Sequence, residues 1–284
     1  MAISSFHTYV IGADRPVGQC LSRVLAEHNL IYRNISLESR ERPMLQSSAR
    51  PVYVITPSLS QLSDAEDAAF WLSRARDEDA VVILMSTLAV CKAGTTGTVT
   101  EQCSEFTSSA ISEAFLALEK QAAENPQHII LRVGQLFALS ADDFAGRVLN
   151  QLRLEGCAAL DMQRLFEPTP ADDIAEVILA VLRQVNLMEG LWGLYHFSGV
   201  EAVNAYAFAE ALLSEAGQFE DLSAATLSTE AGAMMPALWT PVADHQKLFH
   251  TFGIKPKAWR KGLARAVRRY YRADDKSSAG VQGR

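Results

Sequence analysis

Two glycines near the start of the chain have the spacing of a phosphate-binding turn. The segment Gly12–Gly18 reads GADRPVG and follows a short apolar run that ends in Gly12. Glycines in such a turn allow a tight bend, a close approach of backbone to pyrophosphate and close packing of helix on strand. One version of the turn has the pattern GxxGxxG, which would place glycines at residues 12, 15 and 18 of this chain. The middle position is occupied by Arg15 instead. The pattern predicts either a nucleotide pocket at Gly12, Arg15 and Gly18 or a turn kept only for the fold.

A second group of residues lies where the adenosine ribose of a dinucleotide would be recognised. An acid at the end of the second strand accepts from the ribose 2′-hydroxyl, whereas arginine suits a 2′-phosphate. Glu38, Arg40 and Arg42 follow the second predicted strand, and Thr56 ends the third. The arginines favour NADP(H) as the cofactor, and a solvated loop is the alternative. We therefore expect Arg40 and Thr56 to complete the cofactor-binding residues.

The elements that must position these residues alternate between strand and helix. Such alternation is typical of an α/β Rossmann-like fold, a doubly wound parallel sheet covered by helices. After about residue 140 the pattern turns mostly helical, which predicts a small C-terminal substrate-binding lobe. We expect a nucleotide-binding domain over 1–140, the lobe over 141–273 and a disordered tail over 274–284. The predicted elements are strands at 8–12, 30–37, 51–56, 80–86, 128–133 and 193–198, and helices at 17–27, 64–76, 108–124, 171–184, 205–216 and 257–272.

The charge of the chain is unevenly distributed. Its formal net charge is −7, yet eight Lys and Arg residues and no acid lie between Lys255 and Arg272, so the remainder sums to −15. An acidic body with one basic helix does not indicate a nucleic-acid binder. The predicted helix over 257–272 either docks on the body with a solvated basic face or contacts an acidic partner protein or an anionic surface.

Other residue types exclude several classes of site. The six histidines form no HxxxH or HExxH pattern and the four cysteines have no zinc-ligand spacing, so no metal site is expected. There is no nucleophile elbow and no Walker loop. No apolar run reaches the length of a membrane span, and the N-terminus reads as a strand rather than a signal peptide. We expect a cytoplasmic protein with reduced thiols.

From residue 81 onward the sequence resembles the dTDP-4-dehydrorhamnose reductases, which belong to the extended short-chain dehydrogenases. These enzymes reduce a nucleotide-linked keto-sugar with NAD(P)H. The resemblance is most specific over Glu167–Gly199 and continues to Leu263. The segments that carry it are ILMST…V…G…E (83–101), HIILRVGQLFA (128–138), EPTPADDIA (167–175), GLYHFSG (193–199), NAYAFA (204–209), KLFHTFGI (247–254) and WRKGL (259–263).

The resemblance implies which residues meet the ligand. In that family the Ser or Thr after the fourth strand helps to polarise the substrate carbonyl, and Thr87 holds this place with Ser86 beside it. Arg132 and Thr169 fall in the segments expected to bind substrate. The paired acids Asp172 and Asp173 are expected to cap the helix that follows.

The catalytic residue pair of the family is missing from this sequence. The family has a Tyr and a Lys four residues apart on the helix after the Ser/Thr strand, ten residues beyond the loop acid that corresponds to Glu101. The Tyr donates a proton to the nascent alkoxide, and the Lys lowers the pKa of that Tyr. Counting from Glu101 places Ile111 and Phe115 at these positions, in a register supported by Glu119. The two apolar residues either pack in the core or at a dimer contact, or fill the space of the nicotinamide.

Three functions remain open. The first is a non-catalytic or weakly catalytic protein that binds NAD(P) or a sugar nucleotide and acts as a sensor or regulatory subunit. The second is an NADP(H)-dependent reductase or epimerase with an atypical proton donor. The third is an interaction scaffold without ligand, working as a homodimer or through a protein partner. Only 23 residues separate the strands that end at Thr56 and begin at Ala80. Because the family has a longer connection there, we expect the adenine side of the pocket to be reduced.

Overall fold

A computed structural model describes residues 7–41, 49–92, 98–188, 190–229 and 233–281, with the backbone alone over 273–281. The strands are β1 (His7–Ile11), β2 (Tyr32–Ile35), β3 (Pro51–Ile55), β4 (Val81–Thr87), β5 (Thr98–Val99), β6 (His128–Val133), β7 (Gln135–Phe137), β8 (Cys157–Ala159), β9 (Pro168–Pro170), β10 (Gly193–Phe197), β11 (Thr226–Ser228) and β12 (Val242–Ala243). The helices are α1 (Pro16–Glu27), α2 (Leu62–Asp77), α3 (Ala110–Ala123), α4 (Phe144–Glu155), α5 (Ala171–Val185), α6 (Ala205–Ala216), α7 (Gln246–Phe252) and α8 (Trp259–Val281).

A parallel sheet of six strands forms the centre of the molecule. Its order is β10-β6-β4-β3-β1-β2, and every pairing in it is parallel. The chain runs from β1 outward to β2 and then returns to the other side of β1 at β3. Ligands of open α/β sheets bind beside such a reversal, outside the carboxyl ends of the strands. The topology therefore places a candidate cleft near the ends of β1 and β3.

Helices cover this sheet in two pairs, α1 with α5 and α2 with α3. All seven residues of β4 are buried, as expected for a parallel strand covered on both faces. This arrangement confirms the predicted Rossmann-like α/β fold. Part of the C-terminal half belongs to the sheet, since α5, α7 and β10 pack into the same core as α1.

A second core lies in the C-terminal lobe and is built mainly from α4, α6 and α8. Its centre is a group of buried rings in which Phe208 contacts Phe137, Phe144, Phe166 and Trp259. These rings and the neighbouring apolar residues hold the three helices together without the large sheet. The boundary expected at residue 140 falls between β7 and α4, and the division into domains stays a prediction.

Several details differ from expectation. Helix α2 begins at Leu62, two residues before the predicted start at residue 64, with Gln61 as N-cap and no side-chain cap bond. Short parallel pairs β7 with β9, β8 with β11 and β5 with β12 accompany the helices of the lobe. Helix α8 continues to Val281, beyond the expected end at Arg272. Side chains after Arg272 lie outside the described residues, and disorder of 274–284 stays a prediction.

Candidate functional site

The candidate site is a cleft at the carboxyl ends of β1, β3, β4 and β6, beside the lobe. Its cavity has a volume of about 550 Å³, within the usual range for small-molecule sites. The sheet side contributes the turn after β1, the loop after β3, the end of β4 and the loop after β6. The lobe side contributes α4, the segment before β12 and α8. The residues that line the cleft include Asp14, Arg15, Cys20, Ser58, Thr87, Gln135, Asp142, Asp143, Arg147, Thr240, Arg269 and Tyr270.

Thr87 lies in this cleft, at the last residue of β4. It is 1% exposed, and its Oγ1 accepts a hydrogen bond from the Ala89 N–H at 3.1 Å. Ser86 is also buried, but its hydroxyl donates to Glu119 Oε1 at 2.6 Å, and it does not line the cleft. Successive residues of a strand point to opposite faces, which separates these two hydroxyls. Thr87 is therefore the hydroxyl of the pair that a ligand can reach.

The two residues at the expected Tyr and Lys positions lie away from the cleft lining. Phe115 is fully buried and belongs to the core of the large sheet, together with Leu118 and Ala122 of the same helix. Ile111 is half-buried and packs against that core. Among the described residues, the cleft lining contains no lysine, and its one tyrosine, Tyr270, comes from α8. The geometry supports the core-packing interpretation of this helix face.

Arg132 makes a buried ion pair on the side of the sheet that α3 covers. Its Nε donates to Glu119 Oε1 at 2.8 Å and its Nη2 to Glu119 Oε2 at 2.6 Å, with both side chains less than 10% exposed. The same carboxylate accepts the hydroxyl of Ser86. A buried charge requires a partner of this kind, because its desolvation is costly. Arg132 does not line the cleft, so contact with a substrate stays a prediction that the geometry does not favour.

The glycine turn is shaped by its own backbone. Gly12 has a φ of +87°, and a Cβ there would lie 2.6 Å from the carbonyl oxygen of Thr56. A Cβ on Gly18 would lie 2.0 Å from the carbonyl oxygen of Gly12. The hydroxyl of Thr56 bonds within the turn, to the carbonyls of Ile11 and Gly12. The fold alone accounts for both glycines, so their presence does not distinguish a nucleotide pocket from an inherited turn.

Arg15 stands at the N-terminus of α1 and is held by acids. Its Nε and Nη2 donate to the two oxygens of Asp64 at 2.7 and 2.8 Å, and Asp64 is 1% exposed. It also pairs with Asp14 and Glu38. The hydrogen bond with Asp64 raises the pKa of Arg15, and bonds from Ser36 and Arg15 lower the pKa of Glu38 to about 2. One cation and three carboxylates leave this cluster with a formal charge of −2.

Arg40 is placed apart from the cleft lining. It pairs with Asp67 at 2.5 Å, and its guanidinium lies 4.5 Å from the centre of the Phe70 ring. Both partners belong to α2, so Arg40 ties the loop after β2 to that helix. Arg42, the other arginine considered for a 2′-phosphate, lies outside the described residues.

Thr169 is fully buried behind the loop after β6. Its hydroxyl donates to the carbonyl of Glu167 at 3.0 Å and accepts from the Gly199 N–H at 3.2 Å. Nearby, Ser198 donates to Glu167 and lies 2.7 Å from Nε2 of His245. Burial raises the pKa of Glu167 and lowers that of His245 to about 4. These buried groups join β9, β10 and α7, and Thr169 does not line the cleft.

The paired acids Asp172 and Asp173 hold the basic helix rather than capping α5. Pro170 is the N-cap of α5 and makes no side-chain cap bond. Asp172 accepts from Arg23 and Arg269, and Asp173 accepts from Arg265 at 2.5 Å. The expected side-chain cap is therefore wrong, whereas both acids do lie in the first turn of α5, where the helix dipole favours negative charge. Part of the basic face of α8 is neutralised within the chain, which supports the docked-helix interpretation.

Three polar residues of the cleft were not predicted from the sequence. Gln135, Arg147 and Thr240 line it, and each has a buried side-chain atom without a hydrogen-bond partner among the described residues, namely Gln135 Oε1, Arg147 Nε and Thr240 Oγ1. No motif marks them, since only the packing of the lobe on the sheet brings them together. In the described part of the chain, no group of three or more acidic, His or Cys side chains is arranged to hold a metal ion. The described helices include none that is long and apolar enough to cross a membrane.

The fold and cleft define a class of protein, the Rossmann-like α/β proteins with a ligand cleft between sheet and C-terminal lobe. Residues 65–272 match the RmlD substrate binding domain family. The chain belongs to this family, as the resemblance to the dTDP-4-dehydrorhamnose reductases predicted.

Individual relatives agree with this family. The dTDP-4-dehydrorhamnose reductase of Aggregatibacter actinomycetemcomitans is 28% identical over 147 residues, 49% of each chain. The chain spans about half the length of the curated relatives it matches. A dTDP-4-dehydrorhamnose reductase from Clostridium acetobutylicum has the same fold, with a TM-score of 0.75, 16% identity and coverage of 92% of this chain and 98% of that one. The Bacillus anthracis enzyme, solved in complex with NADP, gives a TM-score of 0.71, 15% identity, and coverage of 92% and 97%.

Proposed function

We propose that this chain binds a nucleotide sugar in its cleft and does not transfer hydride by the reductase route, so that it acts as a sensor or regulatory subunit. Two residues of helix α3 carry this proposal. Phe115 fills the core where the family pattern places a lysine, and Ile111 stands where it places the proton-donating tyrosine. A positioned general acid contributes about 10²- to 10⁴-fold in rate. Without it, a cleft that keeps Thr87 retains binding but lacks the means to protonate an alkoxide.

The cleft itself supports ligand binding. It lies at the reversal of strand order, where α/β sheets bind ligands. On its lobe side it presents buried polar atoms that have no hydrogen-bond partner in the described part of the chain. A scaffold without ligand would have no use for buried polar atoms that lack partners, since each is costly to bury. This favours a binding protein over a pure interaction scaffold.

NADP(H) is supported as a second ligand by the NADP complex of the B. anthracis reductase. In this chain Gly12, Arg15 and Gly18 would face its pyrophosphate. Arg15 is already paired with three carboxylates, and the negative charge of that cluster opposes a second anion. We infer that NADP(H) binds weakly, because its pyrophosphate must displace Asp64 and Glu38 from the guanidinium of Arg15.

Calorimetric titration of the purified chain with dTDP-glucose, UDP-glucose, NADPH and NADH tests this function. We expect binding of a sugar nucleotide, with NADPH weaker. Thr87→Val is the matched variant within the cleft, and Ser86→Ala, outside the lining, is its control. Absence of binding by every nucleotide would contradict the proposal and leave an interaction scaffold.

A reductase with an atypical proton donor is the second candidate, and one observation favours it. Tyr270 of α8 lines the same cleft as Thr87. Its hydroxyl accepts a hydrogen bond from Nη1 of Arg153 at 2.7 Å. The cleft therefore contains a tyrosine hydroxyl that is hydrogen-bonded to a cation. Reduction of a keto-sugar that Tyr270→Phe abolishes would establish this alternative.

A further inference from the structure

Two of the four cysteines lie together in the connection between β4 and α3. Cys91 follows β4 closely and forms an antiparallel bridge with Phe106. The carbonyl of Glu105 accepts a hydrogen bond from the Lys92 N–H at 3.0 Å and another from the Cys103 thiol at 3.3 Å. This one oxygen joins the residue after Cys91 to the side chain of Cys103. The two thiols also lie within hydrogen-bonding reach of each other.

The two thiols differ in their access to solvent. Cys91 is buried in the core of the large sheet, whereas Cys103 is partly exposed and packs against the edge of that core. Burial, followed by the hydrogen bond with the Cys103 side chain, raises the pKa of the Cys91 thiol to about 12. The thiolate is the reactive form of cysteine and must be reached by its reaction partner. Cys103 is therefore the thiol that reacts first with a molecule in solution.

A buried cation stands beside the inner thiol. Nη1 of Arg132 donates to Sγ of Cys91 at 3.3 Å, while Nε and Nη2 of the same guanidinium are bound by Glu119. The charge of Arg132 lowers the pKa of Cys91 and so offsets part of the effect of burial. A cation at this distance stabilises a thiolate. Cys91 therefore has the neighbour that it needs to attack a sulfur atom placed next to it.

We propose that Cys91 and Cys103 are a site of reversible oxidation, at which a low-molecular-weight disulfide such as oxidised glutathione forms an intramolecular disulfide. The Cys103 thiolate attacks one sulfur of the oxidant, which forms a mixed disulfide and releases one glutathione thiolate. Cys91 then loses its proton and attacks the Cys103 sulfur, which forms the disulfide and releases the second glutathione thiolate. The two glutathione thiolates take up the two protons that the protein loses. Two protein thiols are oxidised and one oxidant molecule is reduced.

The disulfide joins two segments that border the large sheet. One is the turn directly after β4, and the other is the loop that carries Glu101, whose Oε1 accepts from the His196 N–H of β10 at 3.0 Å. A covalent link between them limits the freedom of the unfolded chain and so favours the folded one. Neither cysteine lines the cleft, so the oxidation site does not depend on which ligand the cleft binds.

The test incubates the folded chain with oxidised glutathione, blocks the remaining thiols by alkylation and maps the disulfides by mass spectrometry without reduction. The wild type is expected to yield a cross-linked pair of peptides that contain Cys91 and Cys103, and dithiothreitol is expected to reverse the link. Cys157→Ser, which removes the exposed thiol of β8, is the control and is expected to behave as the wild type. Cys91→Ala is expected to retain glutathione on Cys103, whereas Cys103→Ser is expected to leave Cys91 unmodified.

Urea unfolding before and after oxidation gives an independent readout. The urea midpoint is expected to rise on oxidation of the wild type and of Cys157→Ser, and to stay constant for Cys103→Ser. Residue 103 is partly exposed, so Cys103→Ser keeps the test decisive even where the buried substitution Cys91→Ala impairs folding, which circular dichroism detects.

Three results would overturn the proposal. One is a wild type that keeps glutathione on Cys103 while Cys91 remains free for alkylation after unfolding. Another is a link between Cys91 and Cys103 that forms only in urea, since the thiols would then not be adjacent in the folded chain. The third is a folded wild type in which oxidised glutathione modifies Cys157 alone or no cysteine at all.

Discussion

Arg15 donates two hydrogen bonds to Asp64, from Nε at 2.7 Å and from Nη2 at 2.8 Å, and so joins the glycine turn after β1 to the first turn of α2. Glu38 from the loop after β2 shares the same guanidinium. The residue that replaces the middle glycine is therefore part of an internal cluster. This arrangement governs what the sheet side of the cleft can bind.

Glu38→Gln is expected to strengthen the binding of NADPH. The substitution removes one exposed negative charge from the cluster and frees a donor of Arg15. For an exposed charge the gain is about fivefold, ~1 kcal/mol. Calorimetric titration compares the variant with Glu41→Gln, a nearby exposed acid outside the cluster. Weaker binding of NADH to Glu38→Gln, with NADPH unchanged, would instead identify Glu38 as the acceptor of the ribose hydroxyl.

Breaking the pair between Arg132 and Glu119 is expected to destabilise the fold strongly. Glu119→Gln leaves a buried guanidinium without its carboxylate, which costs about 3–5 kcal/mol. The measurement is the free energy of unfolding in urea. The exposed pair of Arg76 and Glu124 is the control, where Glu124→Gln costs about 0–1 kcal/mol. Equal losses at the two sites would show that Arg132 is not held as the structure has it.

Phe115→Lys, which restores the family lysine, is expected to unfold or strongly destabilise the chain. Phe115 is fully buried in the core of the large sheet. An unpaired ammonium group buried there costs several kcal/mol. Ile111→Tyr at a half-buried position is expected to cost about 1 kcal/mol, in the usual range for a point substitution. Urea unfolding of both variants and of Phe115→Leu separates the loss of packing from the cost of the charge. A stable Phe115→Lys variant would contradict the placement of this side chain in the core.

Arg132 and Arg147 show which features of the structure could not be predicted from the sequence. The apolar strands and the glycine turn follow from local pattern, and the motifs from Glu167 onward predict the family, so the fold could be predicted. The partner of Arg132 could not, because Glu119 lies on another element and comes close only when α3 packs on the sheet. Arg147 carries no motif, and only the assembled cleft leaves its buried Nε without a hydrogen-bond partner among the described residues. The paired acids at Asp172 show the converse, since a helix cap was expected and a contact with α8 was found.

The buried histidines are expected to make stability depend on pH. Burial, followed by the charge of Arg132, lowers the pKa of His196 to about 3, and burial lowers that of His245 to about 4. Between these values and about 6.5 the unfolded chain binds protons that the folded chain does not. Stability therefore rises with pH through this window, by at most about 1.4 kcal/mol per unit for each histidine.

Urea unfolding of the wild type and His196→Asn at pH 5.0 to 7.5, about the range where most carboxylates stay ionised, measures this effect. The dependence on pH is expected to be shallower in the variant, because one of the two histidines no longer titrates. Parallel curves for the two proteins would contradict a neutral buried His196.

We propose that the chain binds a nucleotide sugar without reducing it. The direct measurement incubates the purified chain with NADPH and dTDP-4-dehydrorhamnose and follows the oxidation of NADPH, with a dTDP-4-dehydrorhamnose reductase as positive control. We expect no oxidation above the uncatalysed rate, and binding of the sugar nucleotide by calorimetry on the same preparation. Oxidation of NADPH that Thr87→Val abolishes would contradict it and establish a reductase with a different proton donor.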